Sequence, residues 1–120
     1  MVEGMKERSP ITSHVLDVQR GKPASGVPLH LEKEEGKGWK SLGKAITDAD
    51  GRAEALLAAG SSLSPGIYRL TFATRAYFEA SGQKCFYPEV SIAFEVAVGG
   101  GHYHVPLLLA AHGYTTYRGS

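Results

Sequence analysis

Turn-forming residues recur along this chain at short, even intervals, and the segments between them alternate apolar with polar side chains. A period of two puts every second side chain on one face of a strand and cannot build the apolar stripe of a helix. The clearest cases are Tyr68, Leu70 and Phe72 set between Arg69 and Thr71, and Val90, Ile92, Phe94, Val96 and Val98 before Gly99-Gly100-Gly101. Read this way, the sequence predicts strands over residues 11–18, 28–34, 39–47, 52–57, 67–73, 89–98, 102–110 and 114–119. Between them fall Gly21-Lys22-Pro23-Ala24-Ser25-Gly26, a hairpin loop at 35–38, Asp48-Ala49-Asp50-Gly51 and Ser64-Pro65-Gly66. In the third of these, Asp50-Gly51 supplies the positive φ that a tight turn needs. One helix is expected, over 74–81, with Thr74 as its N-cap and Gly82 just past its C-cap. Two helical turns hold only when packed against something else. About eight short strands at this spacing mean an all-β sandwich or barrel and not a parallel α/β sheet.

Composition narrows what such a fold can do. The 120 residues suffice for one domain with a core of its own, expected over 10–120 behind a flexible extension at 1–9. Thirteen Lys and Arg against twelve Asp and Glu leave a formal charge of +1, so no basic field draws nucleic acid or an anionic membrane. The single Cys85 excludes an internal disulfide and an all-cysteine zinc site, and it suits a reducing compartment. No apolar run approaches the ~20 residues of a membrane helix. The first residues lack a secretory apolar core and the last three, Arg-Gly-Ser, are not the Ser-Lys-Leu peroxisomal address. A cytoplasmic location is therefore expected, or a peroxisomal one in a eukaryote should another signal direct it there.

The segment 102–110 carries the most chemical information. One face, Tyr103, Val105, Leu107 and Leu109, is a normal core face. The other mixes His102 and His104 with Pro106 and Leu108, which fits a ligand or another subunit as well as it fits solvent. His-x-His on a strand can also present two zinc ligands, with His14, His30 or His112 as a third, but no spacing fixes that third. A calcium loop starting at Asp48 is excluded, since its later ligand positions fall on Arg52 and Ala59. Gly99-Gly100-Gly101 lacks the spacing and the following helix of a phosphate loop and reads as a turn. No Gly-x-Ser-x-Gly holds a nucleophilic serine, Cys85 reads as a small partly buried thiol, and the charges at 32–40 read as a solvated hairpin.

Several stretches together resemble a known family. Gly21 to Leu29, Thr47-Asp48-Ala49-Asp50-Gly51-Arg52 and Pro65-Gly66-Ile67-Tyr68-Arg69-Leu70 are similar to the frame of transthyretin-type two-sheet sandwiches. Ser13-His14-Val15-Leu16-Asp17, Tyr103-His104-Val105-Pro106-Leu107-Leu108-Leu109 and the terminal Tyr117-Arg118-Gly119-Ser120 are more specific. They resemble the 5-hydroxyisourate hydrolases, the transthyretin-related enzymes of urate breakdown. The resemblance spans about residues 10–120 and departs at Ala110-Ala111, where many members carry Ser-Pro.

That resemblance implies hydrolytic opening of the 5-hydroxyisourate ring, without a metal or another cofactor. It also implies a homotetramer, a dimer of dimers, with the active sites at the subunit interface. His14, Arg52, His104 and Ser120 match the family's catalytic positions, and Tyr117 and Arg118, with His14 and Arg52 again, its substrate-binding ones. The residue types suit the task, because an imidazole titrates near working pH and an arginine fork can hold two oxygens of a flat heterocycle. A non-catalytic carrier of small molecules, a zinc hydrolase and a structural module of the same frame are the competing readings.

Overall fold

The computed structural model describes residues 9–120. The chain forms β1 (Ile11–Asp17), β2 (Lys22–Pro23), β3 (Pro28–Glu35), β4 (Gly38–Ile46), β5 (Arg52–Ala53), β6 (Gly66–Phe72), α1 (Thr74–Glu79), β7 (Val90–Val96), β8 (Tyr103–Ala110) and β9 (Gly113–Thr116). One sheet runs β2-β1-β8-β9, with β5 also paired to β1, and the other runs β4-β3-β6-β7. Of the sandwich or barrel that the alternation allowed, the fold is the two-sheet sandwich that the resemblance implied. Its core takes the alternate residues of both inner faces, among them Ile11, Val15, Leu107 and Leu109 from one sheet and Leu29, Leu31, Leu70 and Phe72 from the other.

The sheet that carries the expected site residues is built mainly from β1 and β8, with β9, β2 and β5 at its edges. β1 and β8 lie parallel, from Ile11 opposite Tyr103 to Asp17 opposite Leu109. β5 pairs antiparallel with the first half of β1, Ser13 opposite Ala53 and His14 opposite Arg52, while β2 takes Leu16 and Asp17. On the far side, β9 pairs with β8 from Ala110–Gly113 to Leu107–Thr116. Val18 donates to the Leu109 carbonyl at 3.0 Å and the side chain of Gln19 accepts from the Ala111 N–H at 3.0 Å, so the β8–β9 turn at Ala110-Ala111 is held by the end of β1.

Several elements depart from the expectation for identifiable reasons. The strand expected over 52–57 is two residues long, because Leu56 turns into the core and sets its carbonyl oxygen where a side chain at Gly43 would stand. The run expected to reach residue 98 ends at Val96, and Val98 is 86% exposed in the glycine turn that follows. The last strand stops at Thr116 and touches β8 again at Gly119. β2 was not expected at all. Thr74 is the first residue of α1 and not its cap: Ala73 holds that position, and the Thr74 hydroxyl donates to the Tyr87 carbonyl at 2.6 Å. Gly82 does close the helix, at φ +71°, with Gln83 donating back to the Phe78 carbonyl at 2.9 Å. The extension expected at 1–9 lies outside the described residues except for Ser9, which is buried and accepts from the Leu57 N–H at 3.2 Å. Among the described residues no helix is long and apolar enough to cross a membrane.

Candidate active site

Register decides which side chains meet. In β1 the core takes Ile11, Ser13, Val15 and Asp17, so Thr12, His14 and Leu16 point to the outer face. In β8 the outer face carries His104, Pro106 and Leu108. Parallel pairing sets Thr12 beside His104 and His14 beside Pro106, and β5 sets Arg52 on the other flank of His14. The bridge between Gly119 and His104 keeps the register of β8 with β9, which puts Tyr117 level with Pro106 and Arg118 level with Val105. One row across the outer face thus reads Arg52, His14, Pro106, Tyr117, and the next reads Thr12, His104, Gly119. Strands ~4.8 Å apart and same-face residues ~6.6 Å apart along a strand leave His14 and His104 roughly 8 Å from each other.

Each imidazole is held. His14 Nε2 lies 2.8 Å from the Asp50 carbonyl oxygen in the turn before β5. A carbonyl only accepts, so this nitrogen carries the proton, and a neutral His14 keeps its lone pair on Nδ1. His104 Nδ1 and His102 Nε2 both reach Thr12 Oγ1, at 2.8 and 2.9 Å, and the two rings stack with centroids 6.5 Å apart. The backbone N–H of Arg52 donates to Asp48 Oδ1 at 3.0 Å, fixing the turn that delivers Arg52 to the face, and its side chain is exposed.

The tail is fitted against His104. Gly119 donates its N–H to the His104 carbonyl at 2.8 Å, and a Cβ at Gly119 would lie 2.6 Å from His104 Cδ2 and 3.2 Å from Pro106 Cγ. Glycine is required here by close approach and not by its backbone angle, since Gly119 is absent from the residues with positive φ. Tyr117 is 54% exposed and Ser120 follows Gly119 on the surface.

Of the six residues expected at the site, the fold brings His14, Arg52 and His104 onto one face, with Tyr117 in the same row and Ser120 next to the Gly119 bridge. It does not bring Arg118 there. The guanidinium stacks over Tyr103, 4.4 Å from the ring centroid, and reaches the Gly100 carbonyl at 3.4 Å, on the opposite side of β8 from His104. Alternation in the tail forces this, because neighbours on a strand point to opposite faces. Thr12 was not singled out in the sequence. Its signal was present in Thr12-Ser13-His14, which puts a hydroxyl on the face of His14 two residues earlier.

The remaining histidines stand apart. His30 bonds Ser41 at 2.7 Å on the other sheet, and His112 is exposed in the β8–β9 turn. Among the described residues no group of three or more His, Cys, Asp or Glu side chains is spaced to hold a metal ion. A groove of about 800 Å³ on the outer face of the other sheet, lined in part by His30, Lys44 and Ile46, contains none of the expected site residues.

Comparison with known proteins points the same way as the geometry. The model of the HIUase/Transthyretin family matches residues 11–119. The chain is similar to the 5-hydroxyisourate hydrolase of Salmonella typhimurium, with 46% identity over 110 residues, 92% of this chain and 80% of that protein. It is 44% identical to the 5-hydroxyisourate hydrolase of Mus musculus over 116 residues, 95% of this chain and 98% of that one. Among solved structures, the 5-hydroxyisourate hydrolase of Klebsiella pneumoniae superposes with a TM-score of 0.81 at 34% identity, covering 96% of this chain and 100% of that one. Transthyretin from Sparus aurata superposes with a TM-score of 0.84 at 31% identity, covering 92% and 96%.

Proposed function

This chain belongs to the HIUase/transthyretin family, and from that premise we propose that it is a hydrolase that opens the ring of 5-hydroxyisourate. The observation that carries the reading over that of a carrier is the row of Arg52, His14 and Tyr117 beside His104 on one sheet face. A carrier of apolar guests has no use for two imidazoles and a guanidinium there.

In this reading a water molecule attacks a ring carbonyl, and His104 takes its proton as the new C–O bond forms. A positioned base of this kind contributes roughly 10²–10⁴-fold. Arg52 holds the oxygen on which charge develops, with its fork spanning two oxygens of the ring. When the C–N bond breaks, His104 returns the proton to the departing nitrogen, and the base is regenerated. His14, its Nε2–H donating to the Asp50 backbone carbonyl, offers the Nδ1 lone pair to the substrate. Tyr117 covers the ring, and Ser120 brings its hydroxyl close. In this reading the proton acceptor and the anion clamp are both side chains of this chain, and the reaction is proposed to need no metal or cofactor.

The site face also supports assembly as a homotetramer with sites at the subunit interface. Leu16, Pro106 and Leu108 lie beside the polar groups on an outer face, and β9 is an edge strand flanked by a ring cluster of Phe86, Tyr87 and Tyr114 that is partly exposed. Pairing with a second chain is one way to cover such an edge. Light scattering should give about four times 12.8 kDa, and a lone 12.8 kDa particle would overturn the assembly.

The function is tested by generating 5-hydroxyisourate in place from urate with urate oxidase and following its ultraviolet decay, with and without chelator. The protein should accelerate decay equally in both. His14→Asn, His104→Asn and Arg52→Ala should each remove most of the acceleration, the last by about 10²–10³-fold, the scale of one lost oxyanion donor. Full activity in all three would dismiss this site.

A further inference from the structure

Two imidazoles converge on one buried hydroxyl. Thr12 is 1% exposed, and its Oγ1 lies 2.8 Å from His104 Nδ1 and 2.9 Å from His102 Nε2. At this outward position of β1 a valine would fill the same space, so shape alone does not call for a threonine. What the hydroxyl adds is a constraint on protons. It can donate only one hydrogen bond, so at least one of the two facing ring nitrogens has to carry a proton.

Two arrangements let the hydroxyl accept from one ring and donate to the other, and these two are the ones a relay can use. In the first, His104 Nδ1–H donates to Oγ1 and the hydroxyl donates to His102 Nε2, which leaves His104 Nε2 as the lone-pair nitrogen of a neutral ring, able to act as a base. In the second, His102 Nε2–H donates to Oγ1 and the hydroxyl donates to His104 Nδ1, so that His104 Nε2 carries the proton and can act as an acid. The Cγ–Cδ2 edge of His104 faces the tail, since a Cβ at Gly119 would lie 2.6 Å from Cδ2 and 3.4 Å from Cγ, and Nε2 is the ring atom bonded next to Cδ2.

We propose that Thr12 is a positioning residue for the hydrolysis, whose hydroxyl couples the protonation of His104 to that of His102. The inference rests on the hydrolase reading above. When His104 takes a proton from water at Nε2, its Nδ1 proton passes to Oγ1 and the Thr12 proton passes to His102. The hydroxyl is unchanged, His102 becomes the cation, and His104 stands with a proton on Nε2, on the side where the leaving nitrogen needs it. Return of the proton from His102 through Thr12 as His104 releases its own restores the starting state. One proton enters and one leaves.

The test uses Thr12→Val, Thr12→Ser, His102→Asn and the Thr12→Val/His102→Asn double variant in the full chain. Thr12→Val should lower kcat by about 10–10²-fold, part of what a positioned base supplies, while KM stays within about twofold. Thr12→Ser, which keeps the hydroxyl, should recover kcat to within about threefold of the parent. The double variant should fall no further than either single variant, because residues of one relay are not additive. Nitrogen-15 NMR of labelled histidine gives a readout independent of turnover: Thr12→Val should redistribute the proton between the two nitrogens of His104. Unchanged kcat with unchanged ring shifts would overturn the proposal, as would a Thr12→Ser as impaired as Thr12→Val, or losses that multiply in the double variant. If the parent protein failed to hydrolyse 5-hydroxyisourate, the hydrolase reading would fall, and the NMR comparison would still decide the coupling.

Discussion

Gly119→Ala isolates the fit of the tail from the stability of the fold. The added methyl carbon would stand 2.6 Å from His104 Cδ2 and 3.2 Å from Pro106 Cγ, where carbon contacts are comfortable at ~3.5–4.0 Å. About 1 Å has to be found. Pro106 cannot give, being buried in β8 with its carbonyl held by the Thr116 hydroxyl at 2.7 Å. Turning the His104 ring would break its 2.8 Å bond to Thr12. The cheapest response is for the tail to lift, which sacrifices the 2.8 Å bond from Gly119 N–H to the His104 carbonyl.

One half-buried backbone bond is worth about 0.5–1.5 kcal/mol net, so the melting temperature should move little. Activity should move much more. A misplacement of ~1 Å at a reacting centre can cost 10²-fold, or about 2.7 kcal/mol of barrier. Gly113→Ala is the control: it lies on the same hairpin, nothing stands within 4 Å of its added carbon, and its φ is not positive. Decay of 5-hydroxyisourate should be about 10²-fold slower with Gly119→Ala and within twofold of the parent with Gly113→Ala. Equal activity in both, or equal loss, would refute the idea that the tail is seated on His104.

Two further outcomes concern the scaffold and its response to pH. Burial, with the hydrogen bond to the Asp17 carboxylate second, pushes the Tyr77 hydroxyl up to about 12, above the ~10 of an unfolded chain, so stability is full below pH 10 and falls as pH rises from there to 12. Tyr77→Phe should cost about 1.5–3 kcal/mol at neutral pH, and denaturant titrations should show the gap to the parent closing across that alkaline window; a constant gap would contradict it. On the acid side, the 2.7 Å hydrogen bond from Arg69 Nε holds the Glu32 carboxyl below its ordinary value, so its contribution is present above the unfolded carboxylate range and is lost as pH falls through the lowered value. Glu32→Gln should flatten that acid limb, and an unchanged limb would show that the pair adds nothing.

How far the sequence could be read depends on the range of the information each element uses. The two faces of β8 were legible because alternation is local: Tyr103, Val105, Leu107 and Leu109 could only be core, which left His104 and Pro106 outside. The helix end at Gly82 was legible for the same reason. β2 and β5 were not, since two-residue strands have no pattern and exist only because β1 offers a free edge to each. Nothing local in Arg52-Ala53 indicates that Arg52 will lie across from His14. The parallel pairing of β1 with β8 joins residues some ninety positions apart and leaves no trace in local composition.

The same logic explains the one expected residue that went elsewhere. Tyr117, Arg118 and Gly119 read as one motif, yet a chain that keeps its register on β8 must divide them, with Tyr117 and Gly119 on the histidine face and Arg118 on the Tyr103 face. The glycine makes the close approach, and the arginine, stacked on the ring behind, pins the tail that carries it. The site is thus a product of register more than of composition. Thr12 and His14, His104 and Pro106, Tyr117 and Gly119 are each two apart, and a slip of one residue in any of these three segments would turn its pair to the wrong side of the sheet.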